Sequence, residues 1–188
     1  MSLVVWIATE KADVDPFALY VDDSAGFALL GDVKWYAPYA MYLPTPQARL
    51  LTLWDDLWIP HECPKQLADL ALPYIGFHVD PNAMTVTLPA DAKATLLRSI
   101  RDFATVLPGK RRRTLAEFQA FAGYANWAFN VFPLLRPSLA NLYDKMRGKT
   151  SRHAGIYINK AIVDDLAWLA SRVESSDGIH MLTALAWS

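Results

Sequence analysis

The hydrophobic period changes once along the chain, near Pro89, and that change restricts the fold more than any other feature. Before it, apolar residues come in short runs separated by Pro, Gly, Asp and Asn, the pattern of strands joined by turns. After it they recur every three to four positions, the pattern of amphipathic helices. Strands segregated from helices in one chain define an α+β fold, and 188 residues suffice for one ordinary domain or two small ones. The expected division is residues 1–89, rich in hairpins, then 90–178, helical, then 179–188, a short strand or unpaired tail.

Met1 to Ala12 reads as the end of an apolar helix, stopped by Asp13-Val14-Asp15-Pro16 because the residue before Pro is pushed out of the helical region. Phe17–Val21 and Ala25–Leu30 follow as a hairpin turned by Asp22-Asp23-Ser24. Gln47 to Trp58 places Leu50, Leu51, Leu53, Trp54 and Leu57 at helical spacing, with Pro46 tolerated in the first turn and Pro60 closing it. Pro73–Val79 and Met84–Leu88 form a second hairpin, turned by Asp80-Pro81-Asn82. In the helical part, Leu96, Leu97, Ile100 and Phe103 make one stripe. Leu115, Phe118, Phe121, Ala122 and Ala125 make another, opened by the capping box Thr114-Leu115-Ala116-Glu117. Pro137 begins a third helix, and Ile162, Leu166, Leu169, Ala170 and Val173 mark a fourth.

Hydrophobic residues are 53% of the chain and charged ones 20%, enough apolar surface for a true core, which excludes the disordered and collagen-like classes. The net charge of -1 means that any affinity for nucleic acid must arise from local patches. Cys63 is the only cysteine, so there is no internal disulfide framework and no cysteine-based zinc site. Met1 to Thr9 is apolar but lacks a basic leader region and meets Glu10 and Lys11, so neither a signal peptide nor a membrane span is expected. The expected location is intracellular, cytoplasmic or nuclear, with no membrane partner.

Tyr20-Val21-Asp22-Asp23 at a hairpin tip is the most specific feature. Two adjacent carboxylates there can face divalent metal, and Mg²⁺ suits hard oxygen ligands completed by water and phosphate. Taken alone, an Asp pair in a turn is also ordinary turn chemistry. Its context resembles the reverse transcriptases, whose active-site hairpin carries Tyr-x-Asp-Asp. The helix Gln47 to Trp58 and the following Ile59-Pro60-His61-Glu62-Cys63-Pro64-Lys65-Gln66 resemble the palm region in which that family's lysine acts near the departing diphosphate. Ile75-Gly76-Phe77-His78-Val79-Asp80 resembles the hairpin gripping the primer end, and the helices from Ala90 fall where the thumb stands. Phe132-Pro133-Leu134-Leu135-Arg136-Pro137 with Leu142-Tyr143 resembles the passage towards a ribonuclease H region. The wording is most similar to fungal retrotransposon polymerases of the tyrosine-recombinase type.

The resemblance implies a partial palm followed by a helical thumb-like subdomain. It implies Asp22 and Asp23 as catalytic Mg²⁺ ligands, Lys65 as a catalytic residue assisting proton transfer near the departing diphosphate, and Tyr20, Gly76 and Phe77 as nucleic-acid contacts. It also departs from the family: the other catalytic aspartate and the fingers that precede this hairpin are not in the sequence. The chain is therefore expected to be a truncated RNA-directed DNA polymerase fragment that binds an RNA–DNA or DNA duplex weakly and does not polymerise alone. A homodimer or partner chain is expected to cover the exposed palm edge. Two alternatives stand beside this reading: a domesticated structural or interaction protein, and a scaffold recruited to small-molecule chemistry.

Lys110-Arg111-Arg112-Arg113 is the one dense basic run, placed just before a helix start. It reads either as a solvated loop or as a contact to backbone phosphate, and thumb placement favours phosphate. Arg136, Lys145, Arg147, Lys149 and Arg152 form a looser basic stretch with Tyr143 nearby, which reads as ordinary helix-surface charge rather than a second phosphate contact. His61 and Glu62 do not begin a zinc helix because Lys65 occupies the position a second histidine would need. His78 lies in an apolar strand and reads as a satisfied strand residue rather than a ligand, and His153 and His180 have no partners at ligand spacing. Trp35, Trp54, Trp58, Trp127 and Trp168 read mostly as core and interface packing.

Overall fold

The computed structural model describes residues 3–15, 17–20, 23–105 and 111–180, and for Phe17, Tyr20 and His180 it describes the backbone alone. The fold is α+β, with helices beside small antiparallel sheets. Two compact units meet between Ile75 and Gly76. The hairpin of residues 77–87 therefore belongs with the helices that follow it.

In the first unit, α1 (Leu3–Ala12) ends where Asp13 turns left-handed at a φ of 53°. The Val14 N–H donates back to the Ala8 carbonyl, and both residues are buried with Leu50. β1 (Phe17–Tyr20) pairs with β2 (Asp23–Gly26), Tyr20 opposite Asp23 and Phe17 opposite Gly26. The expected second strand over 25–30 is thus shifted towards the turn. Phe27, Leu29 and Leu30 are left exposed.

β3 (Val33–Tyr36) and β4 (Met41–Pro44) form a hairpin with no counterpart in the sequence reading, joined through a 3-10 turn at Ala37–Tyr39. Its strands alternate as a half-buried ribbon must. Tyr36 and Leu43 go inward onto Ala48 and Leu51 of α2 (Thr45–Asp56), while Val33, Trp35 and Tyr42 stay exposed. α2 stops in a Schellman cap: the Ile59 N–H donates to the Trp54 carbonyl and the Trp58 N–H to that of Asp55, with Trp58 left-handed at φ 58°. That cap ends the expected 47–58 helix two residues early. A 3-10 turn at Cys63–Lys65 and β5 (Leu72–Tyr74) complete the unit. Positive φ angles at Ile75 and Gly76, 50° and 79°, break the single strand expected over 73–79.

In the second unit, β6 (Phe77–Asp80) pairs with β7 (Thr85–Thr87), which also pairs with β10 (Ile179–His180) at the far end of the described chain. Between them run α3 (Ala90–Ala104), β8 (Arg112–Thr114), α4 (Leu115–Ala128), α5 (Ala140–Met146), β9 (Gly155–Tyr157) and α6 (Lys160–Ser175). The predicted stripes all point inward: Leu96, Ile100, Phe118, Leu142, Ile162, Leu166 and Leu169 are almost wholly buried in one cluster. The Thr114 capping box is formed, its hydroxyl oxygen accepting from the Glu117 N–H while the Glu117 carboxylate accepts from the Thr114 N–H. The third helix differs from expectation. Residues Pro133–Leu139 form a 3-10 run and the α-helix starts only at Ala140, because Pro137 has no N–H for the ladder.

Candidate functional site

Asp23 opens β2 as an exposed carboxylate, and its charge adds to burial in raising the pKa of the Tyr74 hydroxyl. Asp22 and Lys110 lie outside the described residues, as does the side chain of Tyr20. Lys65 sits exposed in its 3-10 turn, with its ammonium 3.0 Å from a Glu62 carboxylate oxygen. Among the described residues no three His, Cys, Asp or Glu side chains gather into a group suited to a metal ion. Asp23 is thus the one described member of the carboxylate pair, which is too few ligands from which to derive a metal-dependent step.

Gly76 and Phe77 are placed by packing. Phe77 is 8% exposed and its ring stacks on Trp127, centroids 4.9 Å apart. A Cβ on Gly76 would come within 2.9 Å of the same Trp127 ring, so glycine is what lets the backbone pass over it.

Arg112 and Arg113 of the basic run enter strand β8, whose alternation sorts them to opposite faces. Arg113 faces inward opposite the buried Ile156. Its guanidinium donates to the Asp102 carbonyl at 2.6 Å, pairs with Glu117, and lies over the Phe103 ring 4.9 Å from its centroid. Arg112 faces outward opposite Tyr157, and Arg111 donates to the Tyr157 hydroxyl at 3.0 Å. The two exposed arginines therefore flank an exposed phenol ring.

The second basic stretch arrives at the other end of this ribbon. The N–H groups of Leu115 and Ala116 donate to the carbonyls of Ala154 and Arg152, both at 3.0 Å, which fastens the segment before β9 to the start of α4. Two sequence segments some 40 residues apart are thus joined, Arg111 and Arg112 lying at one end of the ribbon and Lys149, Arg152 and His153 in the segment that leads into its other end, where Arg152 meets the first turn of α4. All five side chains are exposed. The carboxylates nearby already have partners, since Glu117 holds Arg113 and the Thr114 cap, and Asp144 pairs with Arg147. The ribbon presents cations and aromatic surface, which suits a polyanion with stacking rings.

The most organised polar cluster is one that sequence reasoning missed. The Schellman cap on α2 turns the chain back so that His61 lies against Asp55, Nε2 to Oδ1 at 3.0 Å. The Tyr36 hydroxyl donates to the other Asp55 oxygen at 2.5 Å, and the Tyr39 hydroxyl shares a short hydrogen bond with His61 Nδ1. The Tyr36 bond is the main cause that holds the Asp55 carboxyl below the usual carboxylate range; burial opposes it, and the bond and charge of His61 add to the lowering. Burial pushes both tyrosine hydroxyls up, Tyr36 further through its bond to Asp55. Neither phenol is primed as a nucleophile, so the network's chemistry is that of a lock joining the β3–β4 hairpin to the end of α2. The one available signal was Tyr36 and Tyr39 either side of Pro38, with a carboxylate at the end of an apolar helix.

Among the described residues no helix is long and apolar enough to cross a membrane. No family model matches this sequence, and no curated protein matches it either.

Proposed function

We propose that this protein is a nucleic-acid-binding chain of the reverse-transcriptase palm-and-thumb kind, contacting duplex phosphates through the β8–β9 ribbon. The observation that carries this reading is that Arg111 and Arg112 flank the exposed Tyr157 ring at one end of the β8–β9 ribbon while Arg152 stands exposed at its other end, beside the first turn of α4. On a chain with a net charge of -1, such a local patch is what attraction to a polyanion requires. Arg113 is spoken for by Asp102, Glu117 and Phe103, so its part is to hold the ribbon on α4. Catalysis by Asp22, Asp23 and Lys65 with Mg²⁺ belongs to the same reading and rests on the resemblance alone. Binding of the full chain to a labelled RNA–DNA duplex tests the first part. Primer extension with Mg²⁺ tests the second, and synthesis surviving Asp22→Asn with Asp23→Asn removes those residues from it.

A different observation favours a second reading, an interaction protein. Val33, Trp35 and Tyr42 form an exposed apolar face on one side of the β3–β4 ribbon, the two aromatic rings 5.2 Å apart edge to face. A stable dimer by size-exclusion chromatography, indifferent to added nucleic acid, supports that reading over the first.

A further inference from the structure

Within the first unit, a cavity of about 240 Å³ opens between α1, β3 and α2, and its charged lining is Lys11, Lys34 and Arg49 with Asp56 as the one carboxylate. Three cations from three separate elements converge on one small space. We infer that this cavity is a binding site for a small phosphate-bearing anion. The inference is independent of the ribbon, which lies in the other unit.

The placement of Lys34 is the first support. Alternation along β3 puts Val33 and Trp35 on the exposed face of the hairpin, and Lys34 on the same side as Tyr36, the face packed on α2. A ribbon patterned only for solubility would carry its lysine outward and its valine and tryptophan inward. Here the order is reversed, and the cation goes to the side that holds the cavity. Among the described residues Lys34 has no ion pair.

The second support is that Arg49 is held in advance. Its Nη1 donates to the Asp13 backbone carbonyl at 2.9 Å and also pairs with the Asp13 carboxylate. That leaves the Nε and Nη2 donors of the planar fork, the geometry that reads a tetrahedral oxyanion with two parallel hydrogen bonds. Holding the fork beforehand lowers the entropy lost when an anion binds. Lys11 lies in the last turn of α1, with its ammonium 5.7 Å from the Trp6 ring centroid. Compensation of the helix dipole accounts for Lys11 by itself, but not for a lysine from a strand and an arginine from another helix at the same cavity.

The opposing groups set the ligand's size and charge. Asp13 is neutralised by Arg49, and Asp56 remains to repel. The Thr52 hydroxyl already donates to the Ala48 carbonyl at 2.8 Å and offers no proton. The site therefore has a surplus of positive charge. Its volume lies below the roughly 300 Å³ at which drug-sized pockets begin, so inorganic phosphate and diphosphate are the fitting probes.

The test is titration of the full chain at low ionic strength with each probe, followed by ³¹P line broadening and calorimetry. Saturable binding is expected, weakened about tenfold or more by Lys34→Ala, the loss of one close charge contact. Lys34→Arg should retain it. Lys34 is exposed, so the variant folds, and an unchanged melting temperature verifies this. Arg49→Lys keeps the charge but removes the fork and is expected to weaken diphosphate binding as well. Absence of saturable binding, or binding that Lys34→Ala leaves unchanged, overturns the inference. So does displacement of phosphate by duplex nucleic acid in a ribbon variant lacking Arg111, Arg112 and Arg152, which would make the cavity part of a backbone track.

Discussion

Replacing Tyr36 by Phe isolates the lock between the β3–β4 hairpin and α2. The ring remains, including its edge contact to Tyr39 with centroids 5.0 Å apart, so no cavity is made. What disappears is one charge-assisted hydrogen bond of 2.5 Å to Asp55. Bonds of that kind contribute about 1.5–3 kcal/mol. The Asp55 side chain is 45% exposed, so water replaces part of the lost interaction and screens the rest. The expected loss is therefore about 1–2 kcal/mol at neutral pH. Urea denaturation of wild type, Tyr36→Phe, Asp55→Ala and the double variant measures it, and the cycle should return a coupling near 1 kcal/mol for two groups in direct contact.

The pH dependence follows from the directions of the two shifts. Asp55 has a lowered folded-state pKa, so its contribution is present above the unfolded value, about 3.9, and fades as pH falls through the folded value. Tyr36 has a raised one, so its contribution is whole below about pH 10 and is lost as pH climbs through the folded value. The gap between wild type and Tyr36→Phe should therefore narrow at both extremes. A variant as stable as wild type at pH 7, a coupling of zero, or a gap that widens in acid would refute the reasoning.

Two further substitutions probe the backbone. Trp58 is 92% exposed and holds the left-handed position of the α2 cap. Trp58→Gly should raise stability by about 0.5–1 kcal/mol in urea denaturation, since glycine takes that conformation without a Cβ penalty. Gly76→Ala should cost about 1–3 kcal/mol, because φ is +79° and the added Cβ meets Trp127. That ring is stacked between Phe77 and Tyr124 and has little room to move. A lowered melting temperature with altered tryptophan fluorescence would verify it.

The helical half was legible because its stripes are local and strong. Leu96 to Phe103, the Thr114 capping box and Ile162 to Val173 each declare themselves within a turn or two; the two stripes supply Leu96, Ile100, Phe103, Ile162, Leu166, Leu169 and Val173 to the core, and the box is formed as read. The β3–β4 hairpin was not, because it leaves Val33 and Trp35 exposed and sets Lys34, itself exposed, on the same face as the buried Tyr36, the inverse of what alternation reports. The polar network was hidden for a related reason. His61 reaches Asp55 only through a Schellman cap whose left-handed residue is Trp58, where sequence reasoning looks for glycine. At the ribbon, the basic run was visible, but its division into an inward Arg113 and outward Arg111 and Arg112 needed the register with β9. The placing of Arg152 at the α4 end of the ribbon depends on backbone hydrogen bonds to α4, which no spacing encodes.

The central claim is that the ribbon reads duplex phosphates, and the salt dependence of binding tests it most directly. Each neutralised phosphate contributes about −0.9 to the slope of log affinity against log salt concentration on duplex DNA. If Arg111, Arg112 and Arg152 each hold one phosphate, the triple alanine variant should have a slope shallower by about 2–3 than wild type on the same RNA–DNA duplex. It should also bind more weakly at every salt concentration. Equal slopes for the two proteins, or no binding by wild type at low salt, would contradict the account.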